Sequence, residues 1–281
     1  MLAIRVTDNE VRFGDSVTVT FERTLRVPDD GQAHVVPPGL DVYPLFLVHN
    51  YADRVPSSWQ DGGGAFIPIF AREALWISFS GRWWKPNAVK VGVDGLNAVT
   101  GRPLTDELAT DPQDYIVVPD QPWLDAYRAS DGSVRQYATE LPGDPSAASP
   151  SARGDDSILI ELVVFEPAPG RFPDTPPKQR FYPEDASCAP AQTGNPCEIA
   201  VGPNGKMAQR LYPDPYGVDA WDTGNPARVC VRLVSPRGFR EITGAEPPPS
   251  PISVDDYTAF GLPWLKAYAD GMPKSAKSPL R

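Results

Sequence analysis

The sequence predicts an all-β fold: two related β-sandwich-like units from an internal duplication, packed as a pseudo-twofold body. Three observations predict it. Pro supplies 34 of the 281 residues, well above the usual share of about 5 %, and Pro is costly inside helices and central strands. Apolar and polar residues alternate repeatedly at the two-residue period of a half-buried strand. A set of landmark residues recurs in one order at a nearly constant offset, as duplication requires.

The strands are legible in order. VRFGDSVTVTFERTLRV sets Val17, Val19 and Phe21 against Thr18, Thr20 and Glu22, so one face is buried and the other wet. ALWISFSG, AVKVGV and DYIVVP follow, and ILIELVVF, CEIAV, VCVRLV and FREIT come later. Asp94-Gly95 between Val93 and Leu96 predicts a tight hairpin, because a two-residue turn of the favoured hand needs positive φ. Short helices are expected only at PWLDAYRA and PWLKAYADG, where Pro can occupy the first helical turn.

The repeat is anchored by Pro122-Trp123-Leu124-x-Ala126-Tyr127 and Pro263-Trp264-Leu265-x-Ala267-Tyr268, offset by 141. Other pairs keep the same order: Asp114-Tyr115 with Asp256-Tyr257, Thr100-Gly101 with Thr243-Gly244, Trp76 with Trp221, and Tyr43-Pro44 with Tyr182-Pro183. VTVTFERTL at 17–25 answers ILIELVVFE at 158–166. The units expected are residues 1–135 and 136–281. LPGDPSAASPSARGDDS at 141–157 lacks large apolar residues and reads as a linker or long loop near the junction.

Composition bounds the function. Seven Trp, ten Tyr and eleven Phe can fill a sizeable core. A net charge of −10 repels phosphate backbones and anionic membrane surfaces, so nucleic acid is not the expected partner. No stretch reaches the roughly 20 apolar residues of a spanning helix. MLAIRVTDNEVRFGD lacks a basic region followed by an apolar run, so no signal peptide and a cytoplasmic location are expected. Cys230 in ARVCVRLV reads as a small buried hydrophobe. Cys188 and Cys197 close a short loop only in an oxidising compartment; free thiols are expected otherwise.

The motifs of common catalysts are missing. There is no GxSxG elbow, no GxxxxGK[ST] loop and no GxGxxG before a helix, and the two His residues, His34 and His49, have no placed Cys partner. The densest carboxylates are Asp214, Asp219 and Asp222 in PDPYGVDAWD. They offer oxygen ligands for Ca²⁺ but lack the spacing of a Ca²⁺ loop, and turn and cap chemistry is the stronger account of them. Trp76, Trp123, Trp221 and Trp264 recur in both units and are assigned to packing. Trp59, Trp83 and Trp84 lack counterparts and are the candidate ligand-binding residues. Adjacent Trp residues on a strand face opposite ways, which exposes one of Trp83 and Trp84.

The strings REALWISFSG, AVKVGVDGLNAVTG, QDYIVVPDQPWLDAY, RLYPDPYGVDAWD and GLPWLKAY resemble a family of uncharacterised bacterial proteins, common in actinobacteria and with fungal relatives. The resemblance runs through most of the chain. It implies no activity, cofactor or catalytic residue. Some members are labelled membrane proteins, and the absence of an apolar span here argues against that label.

The expected function is a non-enzymatic binding or self-assembling structural protein, with a protein partner or a second copy as ligand. The alternative is a carbohydrate-binding or carbohydrate-processing protein that uses exposed Trp and carboxylates. A third reading is an enzyme with a metal on Asp214, Asp219 and Asp222. No cofactor is expected beyond that Ca²⁺ possibility.

Overall fold

A computed structural model describes residues 2–28, 34, 37–60, 64–139, 157–178, 197–199 and 209–262. It is mainly β, with 37 % strand and 14 % helix. The strands in chain order are β1 (Ile4–Val6), β2 (Glu10–Phe13), β3 (Val17–Leu25), β4 (Asp41–Val42), β5 (Phe46–Leu47), β6 (Ala65–Pro68), β7 (Glu73–Gly81), β8 (Asn87–Val93) and β9 (Leu96–Asn97). They continue with β10 (Ile116–Val118), β11 (Trp123–Leu124), β12 (Tyr127–Arg128), β13 (Val134–Arg135), β14 (Ile158–Phe165), β15 (Cys197–Ile199), β16 (Gln209–Leu211) and β17 (Ala227–Val234). The helices are α1 (Ser57–Gln60), α2 (Pro236–Thr243) and α3 (Val254–Ala259), with 3₁₀ turns at Val48–Arg54 and Val218–Ala220.

Two large sheets dominate. One has six strands in the order β1-β2-β3-β7-β11, with β4 also pairing β3. The other has seven, in the order β10-β8-β14-β17-β6-β5, with β9 pairing β8. Each turns one face toward a single apolar cluster. Val11, Phe13, Val19, Phe21, Ile77 and Phe79 enter it from the six-stranded sheet, and Ile67, Val89, Val91, Ile160, Leu162 and Val231 from the seven-stranded one. Alternation along β3 explains its half: Val17, Val19 and Phe21 are buried while Thr18, Thr20 and Glu22 are half-exposed. β14 is a nearly continuous apolar run, as befits a strand flanked by β8 and β17 and covered on both faces.

The shared cluster draws on both of the expected units. β14 and β17 come from beyond residue 136, yet β14 pairs antiparallel with β8 and β17 runs parallel to β6. The stretches 1–135 and 136–281 are therefore not separately cored. The landmark pairs within the described residues mostly fall in unlike elements. Trp76 is in β7 while Trp221 ends a 3₁₀ turn, Thr100-Gly101 is a turn while Thr243-Gly244 ends α2, and Asp114-Tyr115 precedes β10 while Asp256-Tyr257 is in α3. β3 and β14, both long and central, are the matching pair. Residues 140–156, 179–196 and 263–281, which hold the proposed linker, Cys188 and the second Pro-Trp-Leu string, lie outside the described residues.

Local rules explain the rest. Asp94 (φ 50°) and Gly95 (φ 81°) both take the left-handed region between β8 and β9, as the Asp-Gly signal requires. PWLDAYRA is not a helix. Trp123 and Leu124 pair with Ser78 and Ile77 of β7, and Tyr127 and Arg128 pair with β13. Ladder bonds and burial of Leu124 against the core outweigh a one-turn helix there. FREIT is helical, not a strand. Ser235 caps α2 by accepting from the Gly238 amide, Pro236 opens it, and Gly244 (φ 72°) closes it.

Candidate binding face

The two sheets differ in what covers their second face. On the seven-stranded sheet that face is buried at both ends. Ala88, Val163 and Phe165 pack beneath Tyr115, Ala220 and Trp221. Phe66 and Val234 pack beneath Trp59, Phe239 and Ile242 of the helical layer. Beside the first cluster, opposite Val163, lies Lys90, whose side chain is 0 % exposed and whose ammonium meets Asp114 at 2.8 Å. Lys90 also donates to the Glu107 carbonyl, and Asp114 accepts from the Ala109 amide at 2.9 Å. The 104–109 segment thus closes over the strand, and Gly92 admits it: a Cβ there would stand 2.6 Å from the Leu104 side chain.

The six-stranded sheet keeps its second face open. The ladder aligns one row across four strands: Glu10 opposite Thr20, Thr20 opposite Ser78, and Ser78 opposite Trp123. A second row runs Arg5, Arg12, Thr18 and Ser80. A third sets Val42 opposite Glu22 and Glu22 opposite Trp76. Residues directly opposite share a face, so these rows form one surface of hydroxyls, charges and two indoles. Trp123 is 44 % exposed. Thr20, Ser78 and Trp76 are half-buried, Ser80 and Arg12 exposed.

Several charges on this face are engaged within it. Arg12 donates to Glu10 at 2.6 Å, and Thr20 donates to Glu22 at 2.7 Å. Trp76 is held from the side by the chain entering β4. A Cβ at Gly39 would stand 3.0 Å from the Trp76 ring, so glycine there lets the backbone lie against the indole. β11 is pinned by Gln121, which donates to the Trp123 carbonyl at 2.9 Å and accepts from the Tyr212 amide at 3.0 Å. Just past β11, burial raises the Asp125 carboxyl to about 6.

The residues singled out from sequence are not brought together. Trp59 is 4 % exposed. It lies in the helical layer, with the Arg232 guanidinium 4.6 Å above its ring, and it borders a cleft of about 340 Å³ with Arg54, Ser235 and Arg237. Its ring face is already taken, which removes it as a stacking platform. Trp83 and Trp84 sit in the turn between β7 and β8, not on a strand. Trp83 is 58 % exposed and meets Trp84 edge-on at 5.8 Å. The buried Trp84 Nε1 has no hydrogen-bond partner among the described residues.

The carboxylate trio also disperses. Asp214 accepts from the Tyr115 hydroxyl at 2.5 Å, Trp221 Nε1 at 3.0 Å and the Tyr216 amide at 2.7 Å. It is a structural acceptor that pins Trp221 over the sheet. Burial, then the bond to Asp214, pushes the Tyr115 hydroxyl well up from its ordinary value. Asp222 accepts from the Gly224 amide at 2.9 Å in a turn, and Asp219 lies within the second 3₁₀ turn. Among the described residues no group of three or more His, Cys, Asp or Glu could hold a metal, and no helix is long and apolar enough to cross a membrane.

Trp76 and Trp123 are the site residues that sequence reasoning missed, because their recurrence assigned them to packing. Strand parity could have found Trp76. In ALWISFSG, Leu75, Ile77 and Phe79 take the core, which leaves Trp76, Ser78 and Ser80 on the other face. Compared with protein-family models, with curated proteins and with solved structures, the chain matches none.

Proposed function

We propose that this chain is a non-enzymatic binding protein whose ligand lies on the open face of the six-stranded sheet. The reading takes the two sheets as layers of a β-sandwich, supported by the apolar cluster they share. One observation carries it: of two sheets in one body, one has buried clusters packed on both ends of its second face, while the other presents aligned rows of Ser and Thr ending in an exposed Trp. Exposed indoles on a rigid sheet are strong anchors at low entropic cost. The test is a set of glycan, lipid and peptide arrays, with sedimentation for self-association, run on wild type and Trp123→Arg in parallel. At least one wild-type interaction falls tenfold or more in the variant. No interaction at all, or interactions that survive the substitution, would overturn the reading.

Self-assembly is the second reading, favoured by Trp83 at the tip of the β7–β8 turn. Light scattering tests it. A strict monomer at working concentration contradicts it.

A further inference from the structure

We infer that the ligand of this face is a chain of neutral sugars; the inference rests on the binding-face reading above. The row Glu10, Thr20, Ser78 and Trp123 crosses four strands, a span of about 14 Å at about 4.8 Å per strand. Its hydroxyls are donors and acceptors at once, which matches a ligand that carries the same group at every position. Trp supplies an apolar ring with a polar edge, suited to the C–H face of a sugar ring bordered by its hydroxyls.

The same surface fits other ligand classes poorly. Its charges are few and of both signs, with Arg12 bonded to Glu10, so no concentrated potential selects an ionic ligand. A net charge of −10 repels phosphate backbones and anionic lipid. A protein interface centres on a dehydrated apolar patch, whereas the centre of this face is Thr18, Thr20, Ser78 and Ser80. The indoles occupy one side of that centre. Trp76 and Trp123 lie diagonally on neighbouring strands, at the roughly 7–8 Å separation of such pairs, so one bound chain reaches both.

The experiment is native electrophoresis through gels cast with neutral polysaccharides of α- and β-linked glucose and of mannose, alongside a glycan array. Wild type is compared with Trp123→Ala, with the double variant Thr20→Val/Ser78→Ala, and with Trp83→Ala. Thr20→Val keeps volume and strand preference, and urea midpoints verify folding. Wild type is retarded by at least one polysaccharide. Trp123→Ala weakens binding tenfold or more, the double variant several-fold, and Trp83→Ala leaves it unchanged. No retardation in any gel and no array signal overturn the sugar assignment, as does binding indifferent to Trp123→Ala. Trp123-dependent binding to a lipid or a peptide alone keeps the face and rejects the sugar. Sugar binding lost in Trp83→Ala but kept in Trp123→Ala rejects the face.

Discussion

The two sheets are built from similar strands and share one core, yet they use their second faces in opposite ways. On the seven-stranded sheet, every outward position near the middle is apolar or paired: Val163 is buried, Lys90 meets Asp114, and Glu161 accepts from Arg228 at 3.2 Å. On the six-stranded sheet the corresponding positions are Thr18, Thr20, Ser78 and Ser80. The difference lies in what the chain does next. The 104–109 loop, the 212–222 segment and α2 all return to the first sheet. Among the described residues, the chain returns to the second at its margin, where residues 37–42 run against Trp76 and β4 and Ile252 and Tyr257 pack on Leu25.

The largest expected effect breaks the covered side. Asp114→Ala strips the carboxylate from a fully buried ammonium and should cost about 3–5 kcal/mol. Urea denaturation measures it, and a loss under about 1 kcal/mol would mean that water reaches Lys90.

Next comes an exchange of chemistry between the two faces. Val163→Thr places a hydroxyl in the apolar cluster under Trp221 and should cost about 1–3 kcal/mol. The reverse change on the open face, Thr20→Val, should stay within about 0.5 kcal/mol. Equal costs at the two positions would erase the contrast.

A third effect, of similar size, depends on pH. Burial raises the Asp125 carboxyl to about 6, above an ordinary value of about 3.9. The folded state therefore holds the proton more tightly than the unfolded chain. The contribution is fully present below about pH 4 and is lost as pH rises through about 6, a fall of up to about 3 kcal/mol. Asp125→Asn should remove that slope from urea midpoints measured between pH 4 and 7. An unchanged slope would move its origin to another group. The smallest effect belongs to Trp83→Ala, which should leave stability within about 0.5 kcal/mol because the ring is mostly in water.

Much of the architecture is legible in the sequence, and what is missed has physical causes. Alternation in VTVTFERTL specifies β3 with its wet face, and Asp94-Gly95 specifies its hairpin. The α2 caps were also present in SPRGFREITG, but FREIT alternates well enough to read as a strand; Ser235, Pro236 and Gly244 are the stronger signal. The common sheet of β8, β14, β17 and β6 is long-range pairing, which no local pattern encodes. Repetition of Pro-Trp-Leu points to shared packing, whereas β11 puts Leu124 in the core and Trp123 outside it. Burial follows strand parity rather than repetition. Trp59, although it lacks a counterpart, lies in α1, buried beneath Arg232.

The most direct test of the open face is hydroxyl-radical footprinting of the protein with and without the ligand that the arrays return. In the free protein, Trp83 and Trp123 oxidise readily, while Trp59 and Trp221 stay silent. Ligand protects Trp123 and leaves Trp83 unchanged. A silent Trp123 in the free protein, or protection at Trp83 with none at Trp123, would contradict the account.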